Sequence, residues 1–205
     1  TSPGRLTIGS ATISDSHRHG VLTVAEVIQK SSNIGTVKMA MMFPPEELHH
    51  LFEQLGFGTP LNLGFPGEAG GRLRPAKTWK PIEQATMSYG HGISVNLMQM
   101  ARAYFAFARD GDLLPLSLTK VETPPSAGRR VFSPEVAREM RAMLEGTAAT
   151  GGTATRAQVP GYRVGGKTGT ANKLEGVRYT RKYVASFVCI APISNPRLVL
   201  AVMVD

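Results

Sequence analysis

The 205 residues are 42% hydrophobic and 19% charged, the composition of a globular chain with one substantial core or two small ones rather than a disordered tail. Every apolar run falls short of the roughly 18–20 residues a membrane helix needs. The start Thr1-Ser2-Pro3-Gly4-Arg5-Leu6 does not read as a secretory signal, so any anchor or export signal is expected outside this stretch. The net charge is +8, but its basic residues are dispersed apart from Arg129-Arg130 and Arg178 to Lys182, and no base-stacking aromatic motif accompanies them. Nucleic acid is therefore not the expected partner; the charge suits anionic polymers such as cell-wall strands, phospholipid head groups or, equally, a merely soluble surface.

In chain order, Thr23 followed by Glu26 forms a capping box that predicts a short helix from Val24 to about Lys30. Ser31-Ser32-Asn33 interrupts it, and a Met- and Val-rich helix runs from Ile34 to about Met42, with Met39, Met41 and Met42 expected as core filler. Pro44-Pro45 opens a third helix, Glu46 to Leu55, closed by Gly56. Gly58 to Ile82 reads as a long Gly- and Pro-rich loop. Asn96 and Gln99 start a helix from Leu97 to Arg109, followed by a strand from Leu114 to Val121. Ser133-Pro134 starts another helix that Gly146 is expected to stop near Glu145. Strands follow over Val164 to Ala171, Tyr183 to Ala191 and Leu198 to Asp205, the last two joined through Pro192 to Arg197 as an antiparallel hairpin. The lone Cys189 lies in an apolar run and is expected in the core. This order predicts an α+β chain with a mainly helical part over 1–95 and helices plus antiparallel sheet over 96–205.

Two short motifs carry chemistry. In Lys167-Thr168-Gly169-Thr170, strand alternation sends Lys167 and Gly169 to one face and Thr168 and Thr170 to the other. Gly169 lets another backbone approach, so an edge strand here could pair with an extended peptide. The ammonium and two hydroxyls suit a substrate with a free carboxylate. In Ser31-Ser32-Asn33, a serine can relay a proton and an asparagine can both donate to and accept from an amide. Taken separately, each motif also has a bland reading: a surface strand with a solvated lysine, and a helix cap. Together, Ser-x-Asn before Lys-Thr-Gly, one at a helix junction and one on a strand, is the order found in penicillin-recognising acyl-transfer enzymes.

These motifs, together with Pro3 to Leu6, Val27 to Gly35, Ser88 to Ile93, the Leu97 to Phe107 helix, Gly165 to Ala171 and the Ala185 to Asp205 hairpin, resemble the transpeptidase domain of class B penicillin-binding proteins, most closely the division-specific penicillin-binding protein 3 type. The resemblance runs over nearly the whole length. It implies the penicillin-binding transpeptidase/β-lactamase-like fold, incomplete here at both ends. It implies that Ser31 passes a proton, Asn33 holds the substrate amide, and Lys167 tunes local charge. Thr168 and Thr170 would bind the carboxylate of D-alanine or of a β-lactam, across the opening left by Gly169, and the Thr170 N–H would serve an oxyanion hole. Implied partners are peptidoglycan stem peptides, β-lactams, the upstream part of the same protein and cell-division proteins. The implied location is the periplasmic side of an inner-membrane-anchored protein. No metal and no organic cofactor is called for.

The family's nucleophile, the serine of Ser-x-x-Lys, is absent from residues 1–30 and is expected upstream of Thr1, which would leave these residues inactive alone. Ser117-Leu118-Thr119-Lys120 is a literal match in the wrong order and, as a strand, in the wrong geometry, because residues i and i+3 then face opposite sides. An inactive homologue or a penicillin sensor is the alternative that shares the fold. Gly161 to Thr168 also fits the phosphate-loop pattern, but the polar Thr153 to Pro160 ahead of it is no buried strand, and no helical period follows. His17, His19, His49, His50 and His91 lack metal-site spacing, and the adjacent His49 and His50 are expected to be solvated.

Overall fold

The chain opens with a hairpin that its sequence pattern does not announce. In the computed structural model, which describes residues 1, 3–123, 125, 127–176 and 178–205 (backbone alone at 174, 178 and 179), β1 (Arg5–Ile8) pairs antiparallel with β2 (Ala11–Ser14). Gly9, with φ +61°, takes the left-handed conformation that a two-residue hairpin turn requires at its first position. Helix α1 (Val24–Lys30) starts as expected. The Glu26 N–H donates to the Thr23 hydroxyl at 3.2 Å, and the Thr23 N–H donates back to the Glu26 carboxylate at 2.8 Å. α2 (Asn33–Ala40) then buries Ile34 and Val37 against Ile13 of β2 and Ala85 of α4 (Pro81–Met87). These four side chains, flanked by Leu6, Ile8, Ile82 and Tyr89, form the core of the first of two compact units, Thr1–Asn96 with Leu116–Pro124. Between α2 and α4 lies α3 (Pro45–Leu55), which Gly56 ends at φ +89°.

Three expectations for this unit change. Met41 and Met42 lie past the end of α2 with their side chains exposed, so they do not fill a core. The long loop is interrupted by a 3-10 turn over Ala76–Thr78 and ends where Pro81 starts α4. His49 is not solvated: its ring lies 5.6 Å from that of Trp79 and its Nδ1 lies 3.4 Å from the Glu53 carboxylate.

The second unit comprises Leu97–Pro115 and Pro125–Asp205. Here α5 (Leu97–Ala108) and α6 (Pro134–Ala148) pack on one face of an antiparallel sheet ordered β5-β6-β7, formed by Gly165–Glu175, Arg178–Ala191 and Leu198–Val204. In register, Lys167 pairs with Val188, which pairs in turn with Ala201, and Thr168 pairs with Phe187, which pairs with Val202. Val188 and Ile190 are buried under the helices. The opposite face carries Thr168, Phe187, Cys189, Leu200 and Val202 around a cavity of about 660 Å³. Cys189 is buried, as its apolar run predicts. A short pair, β3 (Asp112–Leu113) with β4 (Arg129–Arg130), completes the described strands.

Two further predictions fail here for local reasons. The strand expected over 114–121 does not form. Pro115 lacks a ladder donor, and the Ser117 hydroxyl accepts from the Thr119 N–H at 3.1 Å and donates to the Thr119 carbonyl at 2.7 Å, closing a local turn. Ser117-Leu118-Thr119-Lys120 therefore lies on neither helix nor strand. Gly146 does not stop α6, which runs on to Ala148 because Thr147 and Ala148 are buried against the unit's core.

Candidate functional site

The Ser-Ser-Asn tripeptide is built from a helix stop and a helix start with no linker between them. Ser31 adopts φ +56°, and its N–H donates to Ile28 O at 3.2 Å while the Ser32 N–H donates to Val27 O at 3.0 Å. This pair of bonds is the Schellman arrangement, which usually takes glycine at the left-handed position. A serine there costs on the order of 1 kcal/mol of backbone strain, a cost that collects at functional positions. Ser32 then caps α2, its hydroxyl accepting from the Gly35 N–H at 3.0 Å, and is fully buried. Asn33 is the first helical residue, with its amide donating to the Ser14 carbonyl at 3.1 Å. The middle serine thus faces the core while Ser31 is exposed and Asn33 half-buried. The helix cap within this tripeptide is therefore Ser32.

Lys167, Thr168, Gly169 and Thr170 all lie on β5, which among the described residues is an edge of its sheet. On that edge the buried Thr147 hydroxyl donates to the Gly166 carbonyl at 2.5 Å, and Lys167 Nζ donates to the Thr168 carbonyl at 2.9 Å. Alternate residues of an antiparallel strand turn their backbone groups to the same side, so the Thr170 N–H is on this open edge with the Gly166 and Thr168 carbonyls. Burial holds the Lys167 ammonium below the usual lysine range. The Thr168 hydroxyl donates to the Thr153 hydroxyl at 3.0 Å, and Thr170 is exposed. A Cβ at position 169 would come within 2.7 Å of the Ser186 hydroxyl across the strand pair, a contact that a turn of the serine side chain would relieve. The cavity on the sheet face has mainly apolar walls, whereas the donors gather at the strand edge.

The structure therefore brings Ser31 to Asn33 in the first unit, and Lys167, Thr168, Gly169 and Thr170 together in the second. Thr147 and Thr153 are partners the sequence does not single out. A threonine in the last turn of a helix and another in a polar loop carry no motif. After Lys167-Thr168 the chain continues as strand to Glu175, so the phosphate-loop reading fails for want of the helix it needs. Among the described residues no helix is long and apolar enough to cross a membrane, and no cluster of His, Cys, Asp and Glu is arranged to hold a metal.

Residues 1–205 match the family model described as the penicillin binding protein transpeptidase domain. A curated relative, the probable peptidoglycan D,D-transpeptidase PenA of Neisseria gonorrhoeae, is 45% identical over 97% of this chain and 34% of its own length. The chain thus spans about a third of that relative. Among solved structures, the apo transpeptidase domain of Burkholderia pseudomallei penicillin-binding protein 3 is 54% identical, with a TM-score of 0.94 over 98% of this chain and 62% of that one. Penicillin-binding protein 3 of Mycobacterium tuberculosis, solved with aztreonam, is 33% identical with a TM-score of 0.90 over 99% of this chain and 50% of that one.

Proposed function

The chain belongs to the transpeptidase-domain family of penicillin-binding proteins, and from that premise we propose that it is part of a peptidoglycan D,D-transpeptidase that works through a serine acyl-enzyme and is inhibited by β-lactams. The observation that carries the reading is the open edge of β5, where a buried-stem lysine, two threonine hydroxyls and an outward N–H follow one another within four residues.

An extended D-Ala-D-Ala stem peptide adds to the β5 edge, its terminal carboxylate taken by the Thr168 and Thr170 hydroxyls. A serine from a Ser-x-x-Lys motif, upstream of Thr1 in the whole protein, attacks the penultimate carbonyl. Its proton passes by way of the Ser31 hydroxyl to the leaving amine, so the D-Ala-D-Ala amide bond breaks as the ester forms and D-alanine departs. Lys167 holds the relay in the protonation state that accepts and returns this proton. Asn33 orients the substrate amide, and the Thr170 N–H stabilises the oxyanion, a single donor of this kind being worth about 3–4 kcal/mol. The amine of a neighbouring stem peptide then attacks the ester, forming the cross-link and returning the proton to the serine. A β-lactam enters the same path and stays as the ester. In this reading the protein works at the periplasmic face of an inner-membrane anchor, with cell-division proteins as partners.

Fluorescent penicillin tests the proposal. Residues 1–205 alone should stay unlabelled, and the full-length protein should be labelled, with label lost when its Ser-x-x-Lys serine is replaced by alanine. A folded full-length protein that takes no label would overturn the transpeptidase reading in favour of an inactive homologue.

A further inference from the structure

We propose that Asp15, which neither motif contains, is a positioning residue that fixes the Ser31–Asn33 turn for acylation; the proposal rests on the function put forward above. Asp15 directly follows β2, and its carboxylate spans the start of α2. One oxygen, Oδ2, accepts from the Ser32 hydroxyl at 2.7 Å, and the other, Oδ1, accepts from the Ile34 N–H at 3.0 Å. The neighbouring Ser14 carbonyl takes the Asn33 amide at 3.1 Å. The end of one strand therefore grips three successive residues, Ser32, Asn33 and Ile34, the first two of them from the tripeptide.

Each bond has a reason to be strong. Ser32 is fully buried, so removing the carboxylate takes away the charged acceptor of its hydroxyl proton. The Ile34 N–H is one of the donors that a helix leaves unsatisfied at its start, and a carboxylate there also meets the positive end of α2. Charge-assisted bonds of this type are roughly twice as strong as neutral ones.

The consequence reaches the two residues that carry the proposed chemistry. Ser31 is held in a left-handed conformation that serine does not favour, and Asn33 follows Ser32 directly. With Ser32 pinned inward from both sides, the residues before and after it are turned outward. A misplacement of about 1 Å in such a group costs on the order of 10²-fold in rate.

The test uses the full-length protein with fluorescent penicillin under single-turnover conditions, with the limiting acylation rate and the labelled fraction measured separately. Asp15→Ala should lower the limiting rate about 10- to 100-fold while the labelled fraction stays near one, and amide exchange at Ile34 and Gly35 should speed up. Asp15→Asn, which can still accept from Ile34, should recover part of the rate; it also serves if the alanine variant fails to fold. An unchanged limiting rate, or a loss confined to the labelled fraction and Tm, would overturn the positioning role and leave Asp15 a structural residue. If wild type itself takes no label, the acylation reading falls and the positioning role with it; a labelled wild type with an equally fast Asp15→Ala variant sinks the positioning role alone.

Discussion

Lys167 lies on the helix-covered face of its strand, with Nζ bonded to the next residue's carbonyl, and burial is what lowers its proton affinity. Because the folded-state value lies below the unfolded one, the unfolded chain binds more protons between the two. The lysine therefore costs stability at lower pH, and the cost fades as pH rises through the folded value. NMR titration of Lys167 should give a midpoint below that of the same lysine in the urea-unfolded chain; an equal or higher midpoint would contradict its burial. Lys167→Ala in the full-length protein should slow acylation by about 10²–10⁴-fold, the range for losing a proton-transfer group. At this scale the two motifs singled out Ser31, Asn33, Lys167, Thr168, Gly169 and Thr170, the residues to which the proposed function gives roles. They did not single out Asp15, Thr147 or Thr153. The bonds that tie them to the two motif regions span 15 or more residues, and single Asp and Thr residues have many surface uses.

Among the elements, helices with explicit punctuation were readable: Thr23 and Glu26 for α1, the proline pair and Gly56 for α3, Ser133-Pro134 for α6. The β1–β2 hairpin was not, since its two four-residue strands carry only Ile13 as a fully buried side chain. Gly146 misled because burial of the next two residues outweighs the roughly 1 kcal/mol that glycine costs a helix. The glycines before Lys167 act differently, by admitting a neighbour. A Cβ on Gly165 would come within 2.7 Å of Ile193 Cδ1 and 2.8 Å of the Glu145 backbone nitrogen, so α6 could not lie as close to β5. Gly165→Ala should cost about 1–3 kcal/mol in denaturant unfolding, by overpacking. Gly20, whose Cβ would meet nothing within 4 Å, is the comparison and should tolerate alanine at little cost. Equal effects at the two sites would refute the close-packing account.

For the whole molecule, composition pointed to a globular chain, the order of predicted elements to an α+β fold, and the order of two motifs to a family. None of these could give the strand edges or the cavity face, because those depend on register between residues distant in sequence. In the proposed function the motifs in this chain serve a serine that lies outside it. The most direct measurement is intact and peptide mass spectrometry of the full-length protein after a β-lactam is added. One covalent adduct per chain is expected, on the serine of a Ser-x-x-Lys motif upstream of Thr1, with its formation slowed in Lys167→Ala. An adduct on Ser31, Ser117 or any other residue between Thr1 and Asp205, or no adduct on folded protein, would contradict it.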